Sequence, residues 1–97
     1  MYAANFNLDL YARRIGLDRI PTATDFDAAA LQRMMQAQLR SITFENLDVQ
    51  AGKIVSLEPE AIVSKIVGAA GDAKRGGYCY ELNGLFAMAL TALQIPY

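Results

Sequence analysis

The stretch from Tyr78 to Leu93 constrains this chain most. Wound as a helix, it carries Leu82, Leu85, Phe86, Ala89, Leu90 and Leu93, and is apolar on nearly every side. A helix of that kind is buried on most of its faces. It ends at Gln94-Ile95-Pro96-Tyr97, because the residue before a proline avoids helical angles. With 97 residues in all, the chain is one small domain. The rest of a short sequence must cover part of this helix, and one of its faces is expected to stay uncovered.

Three other segments have the period to supply it. The first runs from Asn7, a plausible N-cap, to Ile15. It places Leu8, Tyr11, Ala12 and Ile15 on one face, and Gly16 suits the left-handed position that ends a helix. Leu17 to Ala23, with Pro21, reads as a connector. The second helix starts near Thr24, where Thr24 and Asp27 form a variant capping box and Asp25 and Asp27 suit the helix dipole. Its expected apolar stripe is Ala28, Leu31, Met35, Leu39 and Ile42, with Gln32, Arg33, Gln36 and Arg40 on the wet side. The helical period then fails, and Lys53 to Leu57 is the one strand candidate. Pro59 opens a third helix at the position where its fixed φ is favoured, with Ile62, Val63, Ile66 and Val67 facing a core. Gly68 to Gly77 reads as a loop, with four glycines in ten residues. The expected fold is mostly α: a small bundle of about four helices with a short strand.

Charge and composition exclude several function classes. Nine Lys and Arg residues against ten Asp and Glu leave no basic footprint for nucleic acid and no polybasic membrane patch. No apolar run approaches the roughly 20 residues that span a bilayer. Met1 to Asp9 lacks the basic and apolar pattern of a signal peptide. A single cysteine forms no intrachain disulfide, which fits a reducing cytoplasm. No histidine is present.

A lone cysteine in an apolar segment is more often an inert core residue than a nucleophile. The setting of Cys79 points the other way. Arg75-Gly76-Gly77-Tyr78-Cys79 puts the thiol in the first turn of a helix, where backbone N–H groups favour an anion, and Arg75 adds a cation nearby. Both favour the thiolate, the reactive form. The two glycines allow a tight turn and close approach of a substrate.

Arg75-Gly76-Gly77-Tyr78-Cys79-Tyr80-Glu81-Leu82-Asn83 resembles the signature around the active-site cysteine of arylamine N-acetyltransferases. Phe44-Glu45-Asn46-Leu47-Asp48 resembles that family's second hallmark, in the same order and at a similar separation. The resemblance covers nearly the whole chain. It implies that residues 1–97 are the helical N-terminal domain of an α+β, cysteine-protease-like acetyltransferase fold, with β-rich parts expected downstream. It implies acetyl transfer from acetyl-CoA to an arylamine or arylhydrazine through an acetyl-cysteine, as in xenobiotic metabolism, with Cys79 as nucleophile and no metal. In the family a histidine held by an aspartate activates the cysteine. Both lie in the β-rich part, so this chain supplies the nucleophile alone and by itself is expected to be inactive.

The other motif residues carry separate expectations. Phe44 either lines the acceptor pocket, as in the family, or is plain core packing. Glu45 and Arg75 match a pair that holds the cysteine loop to the exit of the second helix; otherwise they are unrelated surface charges. Gly76 and Gly77 shape the loop, and Asn46 and Asn83 tie backbone through their amides. Glu81 reads as a first-turn helix carboxylate. Met34, Met35, Tyr2, Tyr11 and Tyr80 read as packing. Thr43 departs from the family's usual proline, and the loop from Gly68 to Lys74 is longer and less basic than usual. Two other classes stay open: a cysteine hydrolase of related architecture, and a non-catalytic helical module whose uncovered apolar surface drives self-association or partner binding.

Overall fold

The computed structural model describes residues 2–17, 26–45, 47–52, 55–73 and 75–95. These residues form a helical bundle of four helices of eight residues or more and one single turn: α1 Leu8–Ile15, α2 Ala28–Ser41, α3 Leu47–Gln50, α4 Pro59–Ile66 and α5 Cys79–Ala92. α5 packs against α4 and α1, and α1 also packs against α2. Among the described residues there is no sheet; the β pairing found is a parallel bridge between Phe44 and Gly77. The strand expected over 53–57 is corrected in part: 55–57 form none, and Lys53 and Ile54 lie outside the described residues. The single turn α3 went unforeseen, because four residues are too few to show a period.

α1 is built as its sequence implies. The Asn7 side chain accepts a hydrogen bond from the Leu10 N–H at 3.1 Å, satisfying one of the orphan donors of a helix start. Gly16 closes the helix at φ 79°, and its N–H donates to the Ala12 and Arg13 carbonyls. Tyr11, Ala12 and Ile15 are buried and Leu8 is half-buried.

α2 departs from expectation at both its start and its face. Its cap is Asp27, whose carboxylate accepts from the Ala30 N–H at 2.7 Å. Thr24, Asp25 and Pro21 lie outside the described residues. The buried face is Ala30, Met34, Ala37 and Gln38, one position away from the stripe read in the sequence. Met35 is exposed, Leu39 is 71% exposed and Ala28 is exposed, whereas Leu31 is half-buried and Ile42 is buried. The rotation has a polar cause. The Tyr11 hydroxyl donates to Gln38 Oε1, and Gln38 Nε2 donates to the Leu82 carbonyl at 3.1 Å, so one glutamine links α1, α2 and α5. Both ends of its amide are satisfied, which makes its burial tolerable. Burial also pushes the Tyr11 phenol well above its ordinary range.

α4 starts on Pro59 as expected, and Ile62, Val63, Ile66 and Val67 are buried. Leu85, Met88 and Ala89 of α5 form the centre of the core, with Leu82 and Phe86 packed at its margin. Two tyrosines read as packing are corrected: Tyr2 and Tyr80 are exposed, and Tyr11 alone of the three is buried. Leu39, Met35, Tyr2 and Tyr80 share one cause. The bundle has fewer covering faces than the chain has apolar positions.

Arg14 ties α1 to the ends of α4 and α2 and to the glycine loop. Its Nε donates to the Ile66 carbonyl at 2.7 Å, one terminal nitrogen to the Ser41 carbonyl at 2.7 Å, and the other to the Arg75 carbonyl at 3.0 Å. Two of these carbonyls are at the C-terminal ends of α4 and α2, where a cation is favoured. Burial lowers the Arg14 pKa, and the three carbonyls satisfy its donors.

Candidate active site

Two short segments meet beside the start of α5. One follows α2, whose last residue hands over to Ile42 in an extended conformation (φ −118°, ψ 114°). The other is the end of the glycine loop. The Glu45 N–H donates to the Gly77 carbonyl at 2.9 Å and the Gly77 N–H donates to the Thr43 carbonyl at 3.2 Å, forming the parallel bridge. The two sequence motifs are therefore joined backbone to backbone. Thr43, which stands where the resemblance leads one to expect proline, takes part through its carbonyl.

Gly76 has no room for a side chain: a Cβ there would stand 1.7 Å from the Thr43 carbonyl oxygen. Backbone against backbone cannot relax cheaply. Gly76→Ala is expected to lose about 3 kcal/mol, the upper end for forcing atoms into filled space. A denaturant titration reads this directly, and an unchanged midpoint would show that the two segments do not need this approach.

An ion network lies along the same junction. Arg75 grips Glu45 with two nitrogens, at 2.5 and 3.4 Å, and reaches Asp48 of α3 at 3.2 Å. Glu45 also accepts from the Gly76 N–H at 3.2 Å. Lys65 of α4 lies 3.0 Å from Asp48 and 2.9 Å from Glu81. Glu81 in turn accepts from the Tyr78 N–H at 3.2 Å, at the helix start where a carboxylate is favoured. Asn46 lies outside the described residues, and Asn83 and Asp72 are exposed.

The electrostatics follow these contacts. The Arg75 hydrogen bond holds Glu45 below the usual carboxylate range, and the Lys65 and Arg75 bonds do the same for Asp48. Arg75 is raised by Glu45 and then by Asp48. For Lys65, burial lowers the pKa but the bonds to Glu81 and Asp48 raise it, and the raising effects prevail. A carboxyl depressed in the fold contributes stability that is complete above its unfolded value and lost as pH falls through its folded value. The stability difference between the wild type and Glu45→Gln should thus be constant above pH about 5 and shrink below about 4. Thermal melts of both across that range, at low salt, check it; a difference independent of pH would mean the pair does not act through charge.

Cys79 is the first residue of α5, and it is exposed. Tyr78 precedes it in extended conformation, so Cys79 opens the first turn, where backbone N–H groups lack partners within the helix. Phe44 is 62% exposed, so it is not part of the core of this bundle. Leu47 and Tyr80, each three residues from the bridge, are exposed as well. The Tyr80 ring meets Tyr78 edge-on, with centroids 5.5 Å apart. An exposed thiol thus opens α5, on a scaffold held by a backbone bridge and charged pairs, and Phe44, Leu47 and Tyr80 of the two joined segments are uncovered. Among the described residues no group of three or more cysteine and carboxylate side chains could hold a metal ion, and no helix is long and apolar enough to cross a membrane.

A family model described as N-acetyltransferase matches residues 27–94. The chain belongs to the arylamine N-acetyltransferase family. It is 44% identical over 84 residues to an arylamine N-acetyltransferase of Mycolicibacterium smegmatis, which takes in 86% of this chain and 28% of that protein. It is 38% identical over 87 residues to arylamine N-acetyltransferase 2 of Mus musculus, covering 90% of this chain and 28% of the relative. The crystal structure of a Nocardia farcinica arylamine N-acetyltransferase superposes with a TM-score of 0.73 at 36% identity, over 95% of this chain and 31% of that one. The chain therefore spans less than a third of the length of these N-acetyltransferases, and its helical bundle matches part of their fold.

Lys65 and Arg14 went unread in the sequence and Glu81 was read only as a first-turn carboxylate, although the helical period carried a signal for each. Lys65 follows Ile62 by three and adjoins Ile66, so it lies at the edge of a buried face. Glu81 shares a face with Leu85 and Met88 at i+4 and i+7 and is 2% exposed. Arg14 follows the buried Tyr11 by three. A first-turn carboxylate was expected at Glu81; its burial and its partner on α4 were not.

Proposed function

We propose that Cys79 carries an acetyl group between acetyl-CoA and an arylamine or arylhydrazine, in a ping-pong sequence. The observation that carries this reading is the exposed thiol at the first position of α5, bound into the family's two motifs by the Phe44–Gly77 bridge. In the first step the Cys79 sulfur attacks the acetyl carbonyl and the coenzyme A thiolate leaves. In the second, the amine nitrogen attacks the resulting thioester, the Cys79 thiolate leaves and the amine loses a proton. Phe44, exposed and bridged to Gly77 two residues before the thiol, lines the acceptor's place. Glu45, Arg75, Gly76 and Gly77 hold the loop in register.

Residues 1–97 are on this reading the helical N-terminal domain of such an enzyme. They contain no histidine, so the base that assists both steps lies outside them. Exposed Met35, Leu39, Phe44, Leu47 and Tyr80 offer apolar surface to cover, either by further chain or by self-association.

The direct test is incubation with acetyl-CoA, or with a more reactive acetyl ester, followed by peptide mass analysis. One acetyl group on the peptide that contains Cys79, discharged by added arylamine, is the expected result. A label confined to other residues, or a thioester inert to amines, would refute the assignment.

A further inference from the structure

The first turn of α5 contains an acidic side chain besides Cys79. Glu81 stands two residues on, 2% exposed, with its carboxylate turned back to the Tyr78 N–H. Its burial is built in. A Cβ on Gly77 would lie 2.9 Å from Glu81 Oε1 and 3.0 Å from its Cβ and Cδ, so the second glycine of the loop leaves the space that the carboxylate fills. A negative charge there opposes a second one on the sulfur two residues away, because like charges at short range repel.

One cation answers it. Lys65 Nζ stands 3.1 Å from Glu81 Oε1 and 2.9 Å from Oε2, and its side chain is largely shielded from water. Its other contact is Asp48, at 3.0 Å. Asp48 also holds Arg75, and Arg75 holds Glu45, so both of those carboxylates retain a partner if Lys65 is removed. Glu81 has no second cation among its described contacts.

We propose that Lys65 is a positioning residue for Cys79: by neutralising Glu81 beneath the first turn of α5, it leaves the positive end of that helix free to stabilise the thiolate. Its effect on acetyl transfer rests on the function proposed above; its effect on thiol reactivity does not. The arrangement explains why a buried carboxylate is tolerated two residues from a nucleophile. It also gives the second glycine a role beyond the turn: an alanine there would displace Glu81 from Lys65.

The test is the rate of Cys79 alkylation by iodoacetamide at pH 7 in the 97-residue chain, with circular dichroism to show that each variant is folded. Lys65→Met should slow alkylation by roughly tenfold, the effect of one uncompensated neighbouring charge. Lys65→Arg should keep most of the rate. The decisive variant is the double substitution Lys65→Met with Glu81→Gln, which removes both charges and should restore the rate to within about threefold of wild type. A lysine serving only as a strut predicts the opposite, since the double variant loses the strut as well. No recovery in a folded double variant, or wild-type reactivity in Lys65→Met, would overturn the proposal. Should Lys65→Met fail to fold, Lys65→Arg and the double variant still decide it. If alkylation behaves as expected while acetyl-CoA leaves no label on Cys79, the electrostatic role stands and the acetyl-transfer reading falls.

Discussion

Cys79→Ser should remove nearly all acetyl transfer, a loss on the order of 10³-fold or more, while leaving the fold intact. A hydroxyl is a far weaker nucleophile than a thiolate, and nothing on these residues would deprotonate it. The fold should not notice. The side chain is exposed, so the exchange opens no cavity, and serine is at home at a helix start. The measurement is acetylated arylamine formed per unit time, in a form of the protein that turns over, with circular dichroism as the control. Full activity in the serine variant would end the case for Cys79. A fall in activity accompanied by unfolding would instead make Cys79 a structural residue.

The second large effect concerns the 97 residues on their own. They should turn over arylamine about 10²–10⁴-fold more slowly than a full-length member of the family, the usual contribution of positioned acid–base help. The sequence contains no histidine to move a proton during either step. Phe44, Leu47 and Tyr80 of the two motif segments are also uncovered, so an acceptor ring would find little enclosure. The same surface should make the isolated chain bind a hydrophobic dye or associate with itself, which sedimentation across a concentration series reads. Adding the remaining part of a relative as a separate polypeptide should raise the rate if the two dock. Turnover by the 97 residues alone at a whole relative's rate would overturn this expectation and show that no histidine is required.

The place of Cys79 at a helix start and the helices of the bundle were legible in the residue order. Asn7 and Gly16 bracket α1, Pro59 opens α4, and the double glycine puts Cys79 at the start of α5, because capping and breaking are local chemistry fixed within four or five residues. The two motifs could be named from their residues. That they pair in parallel through Phe44 and Gly77 could not, since a single bridge between segments 33 residues apart leaves no periodic trace.

What only the tertiary structure decided is which side chains lie inside and whom they meet. Period alone gave α2 a stripe through Met35 and Leu39, whereas packing chose Ala30, Met34, Ala37 and Gln38, because two alanines allow close approach and the glutamine amide finds Tyr11 and Leu82. The charged residues divide in the same way. Glu45 and Arg75 could be matched as a pair through their motifs, but Arg14, Lys65 and Glu81 gain their meaning from partners on other helices. A charge on a helix is soluble by default, and it becomes part of a site only when the fold brings an opposite charge or a row of carbonyls to it out of the water.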